Sequence, residues 1–408
     1  MIFSASSRRP PLWLAAAAVA SGWLALYSIF FWIAKFVLQS PVHEDVRMNY
    51  VAAEAGLRYG WSTIYDQPTL RALSAGFPGS AQIINDQVTF ASTPLLAWMF
   101  APLTLFSEPV AYVIWTLVSV AALVVAWHIA APYKGLGKLT LLFLAIGLAP
   151  FFANFYFGQP NTILMALVAA AWWFCTRDRP LAAGATLALA TFIKPQAVIF
   201  LPAALLIAGR YRDVASWAGG CAILGVITLA SLGPSGLSGW WHALRGLQGL
   251  NVNTEFTLIH LLGNGPLTYS LWGLQGAAAL LVVWWRRREL EIVFAAAILG
   301  TAATASYFHL ADYSNLVLAA WLVLRTSPPL WHGLWLLAGV LTMQLMDYGT
   351  DDLQPVTWHT PQLIWDAVWL GILVVASYPR IGLAMDQAQT LLKPRTTAPS
   401  SLTDEKPA

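Results

Sequence analysis

The sequence predicts an all-α polytopic membrane protein, and three observations carry the prediction. Hydrophobic residues make up 58% of the 408 positions against 10% charged. The mean hydropathy is +0.63, and apolar runs recur from Leu12 to Tyr378. Only helices and closed barrels satisfy their backbone polar groups in lipid, and these runs are too long for barrel strands. The formal net charge of +3 is too small to point to nucleic acid. The basic residues sit at the ends of apolar runs, where they report topology. Cys175 and Cys221 both fall within apolar runs and read as packed thiols rather than a disulfide framework.

Arg8 and Arg9 precede an apolar run over 11–38. Ala18-Val19-Ala20 imitates a signal-peptidase site, but the run continues well past it, so an uncleaved first helix with a cytoplasmic N-terminus is expected. The segment Pro41-Val42-His43-Glu44-Asp45-Val46-Arg47-Met48-Asn49-Tyr50 is then outside. Over 46–59, Val46, Tyr50, Ala53 and Leu57 recur at helical spacing and Glu54 and Arg58 pair on another face. This predicts a helix lying along the membrane surface, with Asp45 at its N-cap and Gly60 at its stop. The external loop, 41–92, is about fifty residues long, a length that implies function. Residues 93–106 are apolar but short and contain Pro94 and Pro102, which reads as a re-entrant or interfacial element.

Residues 107–131 cross inward to Lys134 and Lys138, 139–155 go out, and 162–175 return to Arg177 and Arg179. About thirty residues separate Arg179 from Arg210, too few for two full spans, so a pair of short helices is expected to meet at Lys194-Pro195. Residues 214–232 exit into a second external segment, 233–265, whose Trp240, Trp241, Leu244 and Leu247 suit an interfacial helix. Residues 266–285 return to Arg286-Arg287-Arg288, the strongest cytoplasmic marker in the chain. Four further runs follow: out to His309, in to Arg325, out to the acidic 347–352 loop, and in to Arg380. The expectation is about twelve crossings with both termini inside. They form a single membrane-embedded domain over 1–383, followed by a disordered cytoplasmic tail over 384–408.

On this topology the polar exceptions collect on one side. Asp45, Gln159, Asn161, Lys194, the Asn251 to Glu255 group and His309 all fall at or just beneath the outer face, although they are far apart in sequence. That convergence predicts a site. Each residue also has a plainer reading. Asp45 could serve only as a cap, with Glu44 as the reactive carboxylate, or Glu44 could orient Arg47. Lys194 could snorkel from a helix end, and Gln159 and Asn161 could simply build a turn. Asn251, Asn253 and Glu255 could form an ordinary polar loop, and His309 an interfacial histidine. Asp312 reads as structural.

The acidic residue soon after the first span, the Phe157-Gly158-Gln159-Pro160-Asn161 turn, the small-residue helix ending in Ile193-Lys194-Pro195, the Asn251-x-Asn253-x-x-Phe256-Thr257-Leu258 segment and the late Ser306-x-x-His309 together resemble glycosyltransferase family 87. The resemblance runs from about residue 12 to 380. The family often carries an aromatic after its Asp and two adjacent histidines late in the chain, whereas here Val46 follows Asp45 and only His309 is present.

The resemblance implies a GT-C membrane fold and polyprenyl-phosphate-mannose-dependent mannosyl transfer on the outer face of the inner membrane. The expected partners are a lipid-linked sugar donor, a glycan or glycolipid acceptor, and membrane lipids. In such a transfer the acceptor hydroxyl loses a proton as it attacks, so Asp45 is expected as general base. The leaving lipid phosphate gains charge, which a fixed cation such as Lys194 or His309 would stabilise. Glu44, Arg47, Gln159, Asn161, Asn251 and Asn253 are expected to bind substrate. No metal or other cofactor is expected, because His43, Glu44 and Asp45 are too close together to surround an ion unaided. A secondary transporter is the competing class, but no repeat relates the two halves and the polar groups favour one face. Another lipid-linked sugar transferase or ligase is nearer in chemistry, and a diphosphate carrier would call for more outer-face cations than this chain has.

Overall fold

The computed structural model describes residues 11–38, 44–77, 90–247, 254–345 and 356–378, and all regular structure among them is helical. The first apolar run forms one helix, α1 (Leu12–Leu38). The predicted surface helix follows as α2 (Glu44–Tyr59), and Gly60 ends it with a φ of 98°, a backbone that glycine adopts without strain. Helix α2 opens at Glu44, so Asp45 lies in the first turn instead of at the N-cap expected for it. Val46, Tyr50 and Ala53 are buried as predicted, whereas Leu57, near the helix end, is 56% exposed. Glu54 and Arg58 form the predicted ion pair.

A short helix α3 (Gln67–Ser74) is capped by Asp66, whose carboxylate accepts the Thr69 N–H at 3.1 Å. The proline-broken stretch becomes α4 (Pro94–Phe100) followed by a 3₁₀ turn (Ala101–Leu105). Helix α2 packs Val46, Tyr50 and Ala53 against Leu96 and Phe100 of α4, together with Tyr112 and Trp115 of α5 (Glu108–Ala130). Val51, Ala52 and Ala55 pack into a second cluster with Ile64, Tyr65 and Leu232. Helix α2 is therefore built into the protein on two faces.

Helices α6 (Gly135–Gly147) and α7 (Ala149–Phe157) form one apolar unit bent by 58°. The bend frees backbone groups that lipid cannot satisfy. Gln344 supplies both partners: its carbonyl accepts Ala149 N–H at 2.9 Å and its amide donates to Gly147 O at 2.9 Å. Helix α8 (Asn161–Thr176) precedes the predicted broken pair, α9 (Pro180–Ile193) and α10 (Phe200–Ile207), which meet through a 3₁₀ turn (Pro195–Ala197). Pro195 lacks an N–H and keeps its predecessor out of the helical region, so Lys194 sits at φ −150°, ψ 81°.

The next element, α11 (Tyr211–Leu247), is interrupted at Gly233, where φ 60° and ψ −175° precede Pro234. Its second half carries Trp240 and Trp241. Helices α12 (Leu258–Leu262), α13 (Pro266–Trp285), α14 (Leu290–Ala303), α15 (Ser314–Arg325), α16 (Leu330–Leu345) and α17 (Val356–Ser377) complete the bundle.

Among the described residues, five helices are long and apolar enough to cross a membrane, and the bent α6–α7 pair makes a sixth. Helices α8, α9 and α14 are apolar but shorter. Helix α14 is apolar all round, with 11 of its 14 residues buried, the mark of a helix enclosed by others. The chain is a polytopic helical membrane protein. The tail, the acidic 347–352 loop and the turn-rich 78–89 stretch lie outside the described residues.

Candidate active site

Asp45, Gln159, Asn161, Lys194 and His309 come together from the N-terminal turn of α2, the turn between α7 and α8, the break after α9, and the connection between α14 and α15. Gln159 joins two of them: its amide N–H donates to Asp45 Oδ2, and its carbonyl oxygen lies 3.5 Å from Lys194 Nζ. Lys194 also donates to Asn161 Oδ1 at 3.3 Å. Its closest partner is Asp312, in a buried ion pair. The other oxygen of Asp312 accepts His309 N–H at 2.9 Å. A lysine only 6% exposed requires such partners, because an isolated ammonium at that depth would shed its proton.

The turn that presents Gln159 is held from several sides. Gly158 has φ 72°, and a Cβ there would overlap Val46 Cγ2, so the turn packs directly on the residue after Asp45. Trp115 Nε1 donates to Gly158 O at 2.8 Å. Asn154 accepts Asn161 N–H at 3.0 Å through its side chain, and its backbone carbonyl accepts Gln159 N–H at 2.9 Å. Turn construction thus falls to Asn154, which leaves the Gln159 side chain to span Asp45 and Lys194. Asn161 Nδ2 is buried with no hydrogen-bond partner among the described residues. The hydroxyl of Thr93 donates to Phe192 O, tying the start of α4 to the end of α9 beside Lys194.

Two expectations change. Arg47 is 3% exposed and bidentate to Glu108, with Nε–Oε1 at 2.5 Å and Nη2–Oε2 at 3.1 Å. Residues two apart on a helix face opposite ways, so Arg47 secures α2 to α5 while Asp45 reaches the turn. It anchors the helix through Glu108. His309 is not a fixed cation: burial drives its imidazole down to a pKa of about 4, so it is neutral near pH 7. Asp312, read from sequence as structural, has two such roles. It closes a capping box on the His309–Asp312 turn and is also the counter-ion of Lys194.

Tyr307 is a further residue of the site. Burial raises its phenol above the ordinary range, and the charges of Asp45 and then Asp312 raise it further. Its ring lies 4.7 Å from that of His309. Asn251 and Asn253 lie outside the described residues, as does the Glu44 side chain. The segment following Asn253 is tied to the site through Tyr313, whose hydroxyl donates to Phe256 O at 3.4 Å.

A buried ammonium and a half-buried carboxylate joined by one glutamine can serve a reaction in which one end loses a proton and the other gains negative charge. The family model of glycosyltransferase family 87 matches residues 90–311, more than half of the chain, so the protein belongs to that family. Neither a curated relative nor a solved structure matches the chain. The matched segment includes Gln159, Asn161, Lys194 and His309 but not Asp45 or Asp312.

Proposed function

We propose that this glycosyltransferase moves a hexose, with mannose the first candidate, from a polyprenyl-phosphate sugar to a glycan or glycolipid acceptor by inverting single displacement. The reaction takes place on the outer face of the inner membrane, within a GT-C arrangement of about twelve crossings. The observation that carries the reading is the Asp45–Gln159–Lys194 hydrogen-bond chain.

Asp45 accepts the proton of the acceptor hydroxyl as its oxygen attacks the anomeric carbon. The bond from that carbon to the phosphate oxygen breaks, and its electron pair leaves with the lipid phosphate. Lys194 stabilises the charge that grows there, with Nδ2 of Asn161, which has no partner among the described residues, as a second donor. One displacement from the face opposite the leaving group inverts the anomeric centre. Gln159 fixes the distance between the two ends, and His309, being neutral, contributes hydrogen bonding rather than charge.

The test is incubation of purified protein in lipid with a panel of polyprenyl-phosphate sugars and glycan acceptors, following release of free lipid phosphate. Sugar-dependent release that requires an acceptor is expected. No release from any member of the panel overturns the proposal.

A further inference from the structure

The ammonium of Lys194 has three N–H donors, and all three are engaged by the protein itself: Asp312 Oδ1, Asn161 Oδ1 at 3.3 Å and Gln159 Oε1 at 3.5 Å. An incoming anionic oxygen must replace one of them. The amides are neutral and distant, so exchanging either leaves the new anion beside the carboxylate of Asp312. Two negative groups sharing one buried ammonium repel each other strongly where water does not screen them. Asp45, one glutamine away, adds a second carboxylate to the same neighbourhood.

Asp312 is built to let go. Its two oxygens have separate partners, Lys194 on one and the His309 N–H on the other. It also lies in a 3₁₀ turn (Leu310–Tyr313) ahead of α15, where the Asn315 side chain holds its backbone carbonyl at 3.3 Å. The carboxylate can leave the ammonium and still cap its own turn.

We infer that Asp312 is a resident counter-ion that stands in for the phosphate at Lys194 and is displaced when a phosphate monoester docks. The inference rests on the reading of Lys194 as the phosphate contact. It makes the Lys194–Asp312 pair the latch between the α9 break and the 304–313 connection, so phosphate binding frees that connection while its internal cap persists.

The probe is farnesyl phosphate, with uncharged farnesol as control, added to the full chain in lipid. Asp312→Asn keeps the shape and the oxygen that accepts His309 N–H but removes the competing charge. It should bind farnesyl phosphate tighter by tenfold or more, on the order expected for removing a like charge at a shared site, with farnesol unchanged. In the wild type, hydrogen exchange across 304–313 should rise with farnesyl phosphate and not with farnesol, a measurement that stands even if the variant does not fold. Unchanged or weaker phosphate binding by Asp312→Asn, or protection of 304–313 in the wild type, overturns the counter-ion role. Equal binding by wild type and Lys194→Met overturns the phosphate contact itself, and with it this inference. Lys194-dependent binding that Asp312→Asn weakens leaves the contact standing and removes only the displacement.

Discussion

Gln159 donates its amide N–H to the carboxylate of Asp45 across 114 positions of the chain, and this bond fixes the first turn of α2 to the turn between α7 and α8. The same side chain faces Lys194 with its carbonyl. Asp45 therefore has a fixed direction as well as a charge.

That geometry sharpens the expectation for Asp45→Asn. Asn keeps the size and can still meet Gln159 through its oxygen, but it cannot take a proton. Sugar transfer should fall by roughly 10²-fold or more while the melting temperature changes little. Because Asp45 lies inside the first turn, its replacement costs the helix no cap. Near-normal turnover in Asp45→Asn would remove it as the base and make Glu44 the next carboxylate to test.

Lys194→Met should weaken the lipid donor far more than the acceptor, by about 2 kcal/mol or more for a lost charge-assisted contact. The measurement is KM for each substrate separately. An equal effect on both would mean that Lys194 supports the fold rather than the phosphate.

Gly158→Ala should damage the enzyme without touching a reactive group. The left-handed backbone costs a non-glycine residue about 1–2 kcal/mol, and the new Cβ would push Val46, moving Asp45 away from Gln159. The expected result is a lower kcat with expression retained, and unchanged kcat would show that the turn can yield.

His309 ties stability to pH. Its imidazole titrates near 4 when folded and near 6.5 when unfolded. As pH falls through that window the unfolded chain takes up a proton that the folded one refuses, so stability drops toward acid. Above about 6.5 both forms are neutral and the contribution is constant. His309→Gln should flatten the fall in melting temperature between those two values. An unchanged slope would assign the acid sensitivity to other groups.

Topology is tested with single cysteines on the exposed positions Ala72 and Arg287. Ala72→Cys should react with an impermeant reagent on intact cells, and Arg287→Cys should react only after permeabilisation. Labelling of Arg287→Cys from outside would reverse the orientation.

Much of the site was legible because the chain is so apolar that each polar residue at depth stands out. Asp45, Gln159, Asn161 and Lys194 were found that way, and the break at Lys194-Pro195 followed from a span too short to cross twice. What escaped were residues with an ordinary local explanation. Asp312 three positions after His309 looks like a cap, and it is one, but its second oxygen reaches α9. Glu108 looks like a favourable charge in a first helical turn, while its partner, Arg47, lies 61 positions earlier. Local spacing cannot reveal a partner that only the packing of helices brings near. The short helices were uncertain for the same reason, since a buried helix and a membrane span share one apolar signature.

The bend between α6 and α7 also sets an order of events during synthesis. Its exposed carbonyl and N–H are met by Gln344, which lies 195 to 197 positions further along the chain. Until the ribosome has made and the membrane has received α16, those groups face lipid at a cost of several kcal/mol each. The first half of the protein therefore enters the bilayer in a provisional form. That corner can set only when the last third arrives, so a truncation before α16 should leave its two backbone groups without the Gln344 partners.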